Sequence, residues 1–375
     1  MMDKERYLNN VINFTRLISL YLNKKEDPNL TISDEEVVFY AKLAKRHSLK
    51  ALLFKVLKDT KVNVNKQYLA KLEEHYLLSL RKALSFEKER EELYKYLNNN
   101  QIHFLPLKGI IMKDYYLDPY SREFADNDIL FEKSKDKLVK EFFTKRGYKV
   151  EMFRKSNHDI YQKEPFYNFE MHRALFYERE DLKRFVKYFD GYLEKSPIKE
   201  NYEHVLTNED FYIYFTAHTH KHFSISGCGI RTLIDYYLFL KNNHLDFDYI
   251  NKELSRLDLL GFSNMISSLS KKIFDNQNLN EEEKETLLFI ASSGTYGILE
   301  HSVSKGVKEK GRFRYFMSRI FPPMEYYKMT HPWAYKCRIL IPFAWIARLF
   351  RIIFTKPKKA VKELKLISKT KKNKE

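Results

Sequence analysis

One stretch of this chain, residues 101–173, constrains the fold most, because only there do short strand-like runs alternate with helical segments. On both sides of it, apolar residues recur three and four positions apart, the spacing of a helix with one buried face. The pattern predicts an α+β protein in which a small mixed sheet is embedded in a largely helical chain. The strand candidates, chosen for their β-branched and aromatic residues, are Ile102–Leu107, Asn127–Phe131, Tyr148–Phe153, Asp159–Gln162 and Phe166–His172.

Changes in composition divide the chain into five stretches. In the first, Ser33 and Glu36 have the spacing of a helix capping box, and the run Asn98–Asn100 is expected to end the last helix. The final stretch is rich in lysine, and we expect it to be frayed. The five are an N-terminal helical region at 1–100, an α/β core at 101–195, a helical domain at 196–300, a basic aromatic helical region at 301–355 and a tail at 356–375.

The positive charge of the chain is concentrated at one end. The chain carries 67 Lys and Arg against 50 Asp and Glu, a net charge of +17. Residues 305–375 hold 20 of these bases and four of the acids, a net of +16, so residues 1–304 are nearly neutral at +1. An anionic partner is therefore expected only of the C-terminal fifth. The near-neutral remainder disfavours a large nucleic-acid footprint there.

The spacing of the cysteines and the lengths of the apolar segments exclude several kinds of site and segment. Cys228 and Cys337 stand 109 positions apart, which excludes a Cys-based zinc site and a disulfide framework. The first residues lack the apolar core of a secretory signal, so the cytoplasm is the expected compartment. The apolar run Ile339–Ala347 is too short to span a membrane. This basic aromatic region could lie weakly on a membrane surface or another anionic partner, or it could cap a core; both interpretations stay open.

Paired carboxylates mark the mixed region as the place for chemistry. Asp126 and Asp128 are separated by one residue at the start of a strand, so both side chains point to one face. Two such charges repel each other unless a cation lies between them, and carboxylate oxygens suit a hard divalent ion. Glu170 falls on one face of a later strand and can supply a third carboxylate. We expect the three to converge at the C-terminal side of the sheet.

The turn at Lys108 and Gly109 predicts a phosphate site. It follows an apolar strand and opens a helical segment, a setting in which backbone N–H groups receive a phosphate. The Lys108 side chain adds a positive charge there, and Arg122 lies four residues before Asp126, close enough to serve an anionic substrate. These residues therefore predict a site for a phosphorylated substrate beside the carboxylates.

The string LPLKGIIMKDYYLDPYSREFADNDILF resembles the signature of the uncharacterised nucleotidyltransferase family of the DNA polymerase β-like superfamily. Glu170-Met171-His172 is similar to the family's later acid-x-His pair. His218 and His222 in the string HTHKH, and Arg231 with Asp235, are similar to its His-rich and Arg/Asp helices. Asn127 departs from the family, because an aliphatic residue is usual there.

The resemblance implies transfer of a nucleoside monophosphate from a nucleoside triphosphate (NTP) to a hydroxyl acceptor that the sequence does not identify. It implies that Asp126, Asp128 and Glu170 hold two Mg²⁺ ions. The remaining candidates for contact with the nucleotide or its phosphates are Lys108, Gly109, Arg122, His172, His218, His222 and Arg231.

Alternatives remain for the function and for several of these residues. The protein could be a non-catalytic nucleotide- or partner-binding module, or a toxin-like nucleotidyltransferase that modifies protein or tRNA. Arg231 and Asp235 could form an ordinary i,i+4 ion pair. His158-Asp159 resembles the dipeptide of metal-dependent phosphohydrolases, but that fold needs it on a helix and the sequence here predicts a strand, so we assign it no role.

Overall fold

The computed structural model describes residues 3–295, 297, 299–322, 324–355 and 357–370. It divides into two compact units. The first comprises Met1–Lys221 and Cys228–Thr295, and the second comprises His222–Gly227 and Tyr296–Glu375. The predicted α+β class is confirmed, because a single seven-stranded mixed sheet lies within a largely helical chain. The finer subdivision into five stretches stays a prediction.

The first unit begins with four helices: α1 (Lys4–Leu22), α2 (Asp34–His47), α3 (Lys50–Asp59) and α4 (Lys66–Asn99). The predicted capping box is present at α2, where the Glu36 amide donates to the Ser33 hydroxyl and the Glu36 carboxylate accepts from the Ser33 amide. Asn100 caps the end of α4, as the asparagine run predicts. Local sequence therefore determines where these helices begin and end.

The sheet is mixed and follows the order β3-β4-β5-β2-β1-β7-β6. Strand β2 runs parallel to β5 and antiparallel to β1. The two short strands β6 and β7 pair with each other, and β7 adds to the edge of β1. The strands are β1 (Phe104–Pro106), β2 (Asn127–Phe131), β3 (Lys149–Met152), β4 (His158–Lys163), β5 (Tyr167–His172), β6 (Ile198–Glu200) and β7 (Glu203–His204).

One face of the sheet packs into a hydrophobic core. The short helix α5 (Gly109–Met112) follows β1, and α6 (Asp136–Lys145) follows β2. Helices α4 and α6 cover the sheet. Their apolar side chains meet alternate residues of β2 and β5, which leaves the opposite face of these two strands for polar groups. The fully buried members include Phe86, Leu93, Ile129, Val139, Phe143, Phe169 and Met171.

Helices make up the rest of the first unit, and the last turn of α9 groups with the second. Helix α10 is buried along most of its length, including the carboxylate of Asp235. Helix α13 begins with a second capping box, formed by Asn280 and Glu283. These helices are α7 (Lys183–Tyr188), α8 (Tyr192–Lys195), α9 (Asn208–Ser226), α10 (Ile230–Asn242), α11 (Phe247–Arg256), α12 (Leu260–Phe274) and α13 (Glu281–Ser293).

The second unit is helical: α14 (Leu299–Lys310), α15 (Arg312–Ile320), α16 (Met324–Thr330), α17 (Pro332–Lys336), α18 (Ile341–Thr355) and α19 (Pro357–Lys369). The expectation of a frayed tail is wrong for α19, whose Ile367 is buried with Val303, Val307 and Tyr315. Lys356 and residues 371–375 of the predicted tail lie outside the described residues. Among the described helices, none is long and apolar enough to cross a membrane.

Candidate functional site

The register of two parallel strands brings the predicted acids together. Asp128 on β2 lies directly opposite Glu170 on β5, and Leu130 lies opposite His172. Phe169 and Met171 point into the core, so Glu170 and His172 share the other face, as their alternation predicts. Asp126 immediately precedes β2. The acids meet at the amino-terminal end of β2, in the carboxyl-terminal half of β5 and just beyond the end of the antiparallel strand β1, which delivers Lys108. The expected C-terminal side of the sheet therefore holds for β1 and β5 and is wrong for β2.

Two of the three carboxyls, Asp126 and Glu170, show the electrostatic effect of their acidic neighbours. Burial, together with the charge of Asp128, raises the pKa of Asp126 to about 6. Burial and the charges of both aspartates raise the pKa of Glu170 to about 7. Burial alone would also raise the pKa of Asp128, but Lys108 and His172 hold it well below its usual value. Of the three carboxyls, only Asp128 has its charged form stabilised by its neighbours. A cation beside Asp126 and Glu170 would stabilise their charged forms as well.

Lys108 lies at a strained turn and is directed at the acids. Its Nζ is 2.8 Å from Oδ1 of Asp128. Its backbone has φ of 46°, a value that non-glycine residues rarely adopt. Such strain persists where the surrounding structure enforces it, commonly at functional sites.

The backbone of this turn differs from the predicted phosphate cradle. Helix α5 has only four residues. The amides of Ile110, Ile111 and Met112 donate to the carbonyls of Leu107 and Lys108 within the turn. The prediction that the helix start offers its N–H groups to a phosphate is therefore wrong for these three amides, and the Lys108 side chain is the group that faces the site.

Arg122 is committed to a buried ion pair. Its Nε and one terminal nitrogen donate to the two Asp235 oxygens at 2.9 and 2.8 Å, and the Tyr116 hydroxyl donates to the same carboxylate at 2.8 Å. A Cβ built on Gly109 would lie 2.9 Å from the remaining Arg122 nitrogen. Arg122 thus packs against the Lys108-Gly109 turn. Glycine is required at position 109 because a Cβ there would meet the Arg122 guanidinium.

Arg231 does not pair with Asp235, so the i,i+4 interpretation is wrong. It donates to the backbone carbonyl of Glu123 at 2.7 Å, in the segment that leads into β2. The charges of Arg231 and Arg122 both lower the pKa of Asp126. The two arginines therefore balance the acids electrostatically while holding the loop between β1 and β2 in place.

Two histidines flank Glu170. The Nε2 of His172 lies 2.7 Å from Asp128 Oδ1 and 3.8 Å from a Glu170 oxygen. His158 on β4 lies opposite His172 in the sheet, with its Nε2 3.7 Å from the same Glu170 oxygen. Burial and the neighbouring cations lower the pKa of His158 to about 3, so its imidazole is neutral. The sequence analysis considered His158-Asp159 and assigned it no role, which is wrong for His158. Its neighbour Asp159 points away from the site and accepts from the Arg154 amide.

One face of α9 contributes further side chains that the sequence did not single out. Tyr214 and Lys221 lie seven residues apart on this helix, and the charges of Lys108 and Asp128 perturb the pKa of both. Burial, and the charge of Lys108, lower the pKa of Lys221 to about 8. His218 lies between them, with its ring 6.1 Å from that of Tyr214. His222 is the residue just beyond the first unit.

Among the described residues, one group of at least three His, Cys, Asp or Glu side chains could hold a metal ion: His158, Glu170 and His172, with ligand atoms within 4.8 Å of one another. Of the three predicted carboxylates, Glu170 belongs to this group and Asp126 and Asp128 do not. His218 and His222 are not in such a group. Asn127, the departure from the expected aliphatic residue, faces the opposite side of β2 and accepts from Arg90 at 3.0 Å.

Comparison with known proteins gives one match. A family described as "Uncharacterised nucleotidyltransferase" matches residues 34–275, which include the whole sheet and helices α2 to α12. No curated protein and no solved structure matches the chain significantly.

Proposed function

The chain belongs to the uncharacterised nucleotidyltransferase family, and from that premise we propose that it transfers a nucleoside monophosphate from an NTP to an acceptor hydroxyl. One observation carries the proposal: Asp128 and Glu170 face each other in register on adjacent parallel strands, with Asp126 beside them. Burial and the charge of Asp128 raise the pKa of both Asp126 and Glu170, so the three carboxyls lie close enough to be treated as one cluster.

The donor set fits Mg²⁺. Three carboxylates supply the oxygen ligands that this ion prefers, and Lys108 is the nearest cation that offsets their charge. In the proposed site Asp126 and Asp128 would hold two Mg²⁺ ions, and Glu170 would hold one of them. When bound, the ions supply charge stabilisation to the attacking and leaving oxygens of an in-line displacement.

The chain's own residues have separate tasks in this proposal. Lys108 holds a positive charge beside the cluster and would meet the triphosphate, and Lys221 lies near the same charges from α9. Glu170, between two imidazoles, would help to take the proton of the acceptor hydroxyl. Arg122 and Gly109 position Lys108 rather than touch the substrate, since the Arg122 guanidinium is occupied by Asp235.

The two histidines favour a different metal ion for the same reaction. Imidazole nitrogen suits Zn²⁺, whereas Mg²⁺ prefers oxygen ligands, and the nitrogens of His158 and His172 lie 3.7 and 3.8 Å from Glu170. Activity measured with Zn²⁺ and with Mg²⁺ in His158→Ala tests this preference. If His158 contributes a ligand, the variant loses more of its Zn²⁺-supported rate than of its Mg²⁺-supported rate.

Pyrophosphate release tests the proposed reaction. The full chain is incubated with each of the four NTPs and Mg²⁺, with and without cell extract as a source of acceptor, and Asp128→Asn serves as the inactive control. Release that needs the extract and Asp128 supports nucleotidyl transfer. NTP binding without release under every condition would favour the non-catalytic binding module instead. Transfer of label to protein or RNA in the extract would identify the acceptor class.

A further inference from the structure

Helix α18 in the second unit presents large apolar side chains to solvent. Phe343, Ile346, Phe350 and Phe354 are 63%, 44%, 57% and 77% exposed. Their spacings of three and four residues place them on one side of the helix, where they form a continuous row about 16 Å long. We call these four residues the apolar stripe.

The opposite side of α18 is packed and contains a cation. Ala344 is fully buried against Tyr327 and Ala334. Arg348 is only 7% exposed; it donates to the Arg319 carbonyl at 2.7 Å and lies 5.1 Å from the centre of the Tyr326 ring. The helix therefore turns Arg348 inward and its phenylalanines outward, the reverse of a helix side that faces water.

The charge around the apolar stripe indicates which kind of partner would cover it. Residues 305–375 carry a net charge of +16, and Lys336, Arg338 and Arg351 are exposed next to or within α18. Helix α19 adds two half-exposed apolar residues, Val361 and Leu364, among further lysines. An amphipathic helix with aromatic residues on one side and basic residues around it is typical of attachment to an anionic membrane surface.

We propose that the second unit binds the surface of an anionic lipid bilayer, with the apolar stripe inserted among the headgroups and the surrounding Lys and Arg contacting lipid phosphates. A second copy of the chain suits the surface less well, because pairing two such faces would bring together two regions of charge +16. Nucleic acid also suits it less well, because the three phenylalanines could stack on bases but Ile346 could not, whereas the apolar boundary of a bilayer accommodates all four side chains.

Vesicle flotation tests the proposal with the full chain. Vesicles of phosphatidylcholine with phosphatidylserine should carry the protein upward, and pure phosphatidylcholine vesicles should carry much less. Phe350→Ser combined with Phe354→Ser should lower the partition coefficient at least about tenfold, because apolar area that enters the bilayer is lost. Salt at about 0.5 M should weaken binding, since it screens the basic residues.

The matched control replaces exposed leucines elsewhere. Leu77 and Leu78 on α4 are 54% and 66% exposed, so Leu77→Ser with Leu78→Ser removes comparable apolar surface from the first unit. This variant should bind vesicles like the unaltered protein. If both double variants bind equally, or if the unaltered protein does not bind, the proposal is wrong.

The tryptophans provide an independent readout. The chain has two, Trp333 and Trp345, and both lie in the second unit. Trp345 is on the same helix as the stripe and stacks on Phe321, with ring centres 4.9 Å apart. When vesicles bind this unit, the tryptophan emission should shift to shorter wavelength. Self-association that depends on Phe350 and Phe354, without a fluorescence shift on vesicles, would instead identify the stripe as a contact between copies and would overturn the proposal. Neither readout depends on nucleotidyl transfer.

Discussion

The carboxylate cluster of the first unit and the apolar stripe of the second use charged and apolar residues in opposite ways. Around the cluster, the charged groups Lys108, Asp128, Arg122 and Asp235 are largely buried, and each is paired with an opposite charge. Around the stripe, phenylalanines are exposed and cations outnumber acids. The first arrangement fixes charges in position, as the proposed nucleotide site requires, whereas the second exposes apolar and basic residues together, as the proposed contact with an anionic bilayer requires.

The largest effect is expected from breaking the buried ion pair beneath the site. Asp235→Ala leaves the Arg122 guanidinium and the Tyr116 hydroxyl buried without their shared acceptor, and we expect the free energy of unfolding to fall by about 3–5 kcal/mol. Urea denaturation measures this loss of free energy. Arg122→Met combined with Asp235→Leu removes both charges and should recover most of the loss. No recovery in the double variant would mean that the pair contributes through packing instead.

Removing one charge of the cluster should affect activity more than stability. Asp128→Asn keeps the shape of the side chain but removes the carboxylate that faces Glu170. We expect at least a hundredfold loss of pyrophosphate release, which corresponds to about 2.7 kcal/mol, with the fold retained by circular dichroism. Glu151→Gln on the exposed edge strand β3 is the control and should keep full activity. A folded Asp128→Asn variant with normal turnover would show that the acids are structural.

Adding a methyl group at Gly109 should reveal how closely Arg122 supports the turn. Because the Arg122 guanidinium is held at two points by Asp235, it cannot move away freely, and Gly109→Ala should destabilise the protein by about 1–3 kcal/mol. Gly261→Ala is the comparison, since nothing lies within 4 Å of a Cβ there and the residue is in helix α12. That variant should be neutral or slightly more stable. Equal thermal midpoints for the two would contradict the close approach.

The smallest effect is expected from an ion pair in the second unit. Arg319 and Glu363 are joined at 2.6 Å, but the Arg319 side chain is 49% exposed. Water screens such a pair, so Glu363→Ala should change the free energy of unfolding by no more than about 1 kcal/mol. A loss as large as that of Asp235→Ala would remove the contrast between the two regions.

The elements that local sequence determines were predictable. Strand β2 has the predicted bounds, Asn127–Phe131, and the alternation in Phe166–His172 correctly placed Glu170 and His172 on one face. Both patterns depend on neighbouring residues within one strand. The capping box at Ser33 is local in the same sense, because it involves residues three positions apart.

The missed features depend on residues far apart in the chain. His158 joins the site only because β4 pairs with β5 in a register that sets it opposite His172. Arg122 and Asp235 are 113 residues apart, so no sequence spacing relates them, and the nearer Arg231 was the misleading partner. Strands β6 and β7 are three and two residues long and are held by pairing with each other and with β1, which leaves no periodic signal.

The Arg122–Asp235 pair also limits how this protein could be divided or recombined. Arg122 comes from the loop that precedes β2, and Asp235 comes from α10, after the last strand of the sheet. A fragment that stops at β7 would leave the arginine buried with no acceptor. The sheet therefore cannot be exchanged as a separate module. Any ancestor, fragment or chimera that contains this loop also has to contain α10.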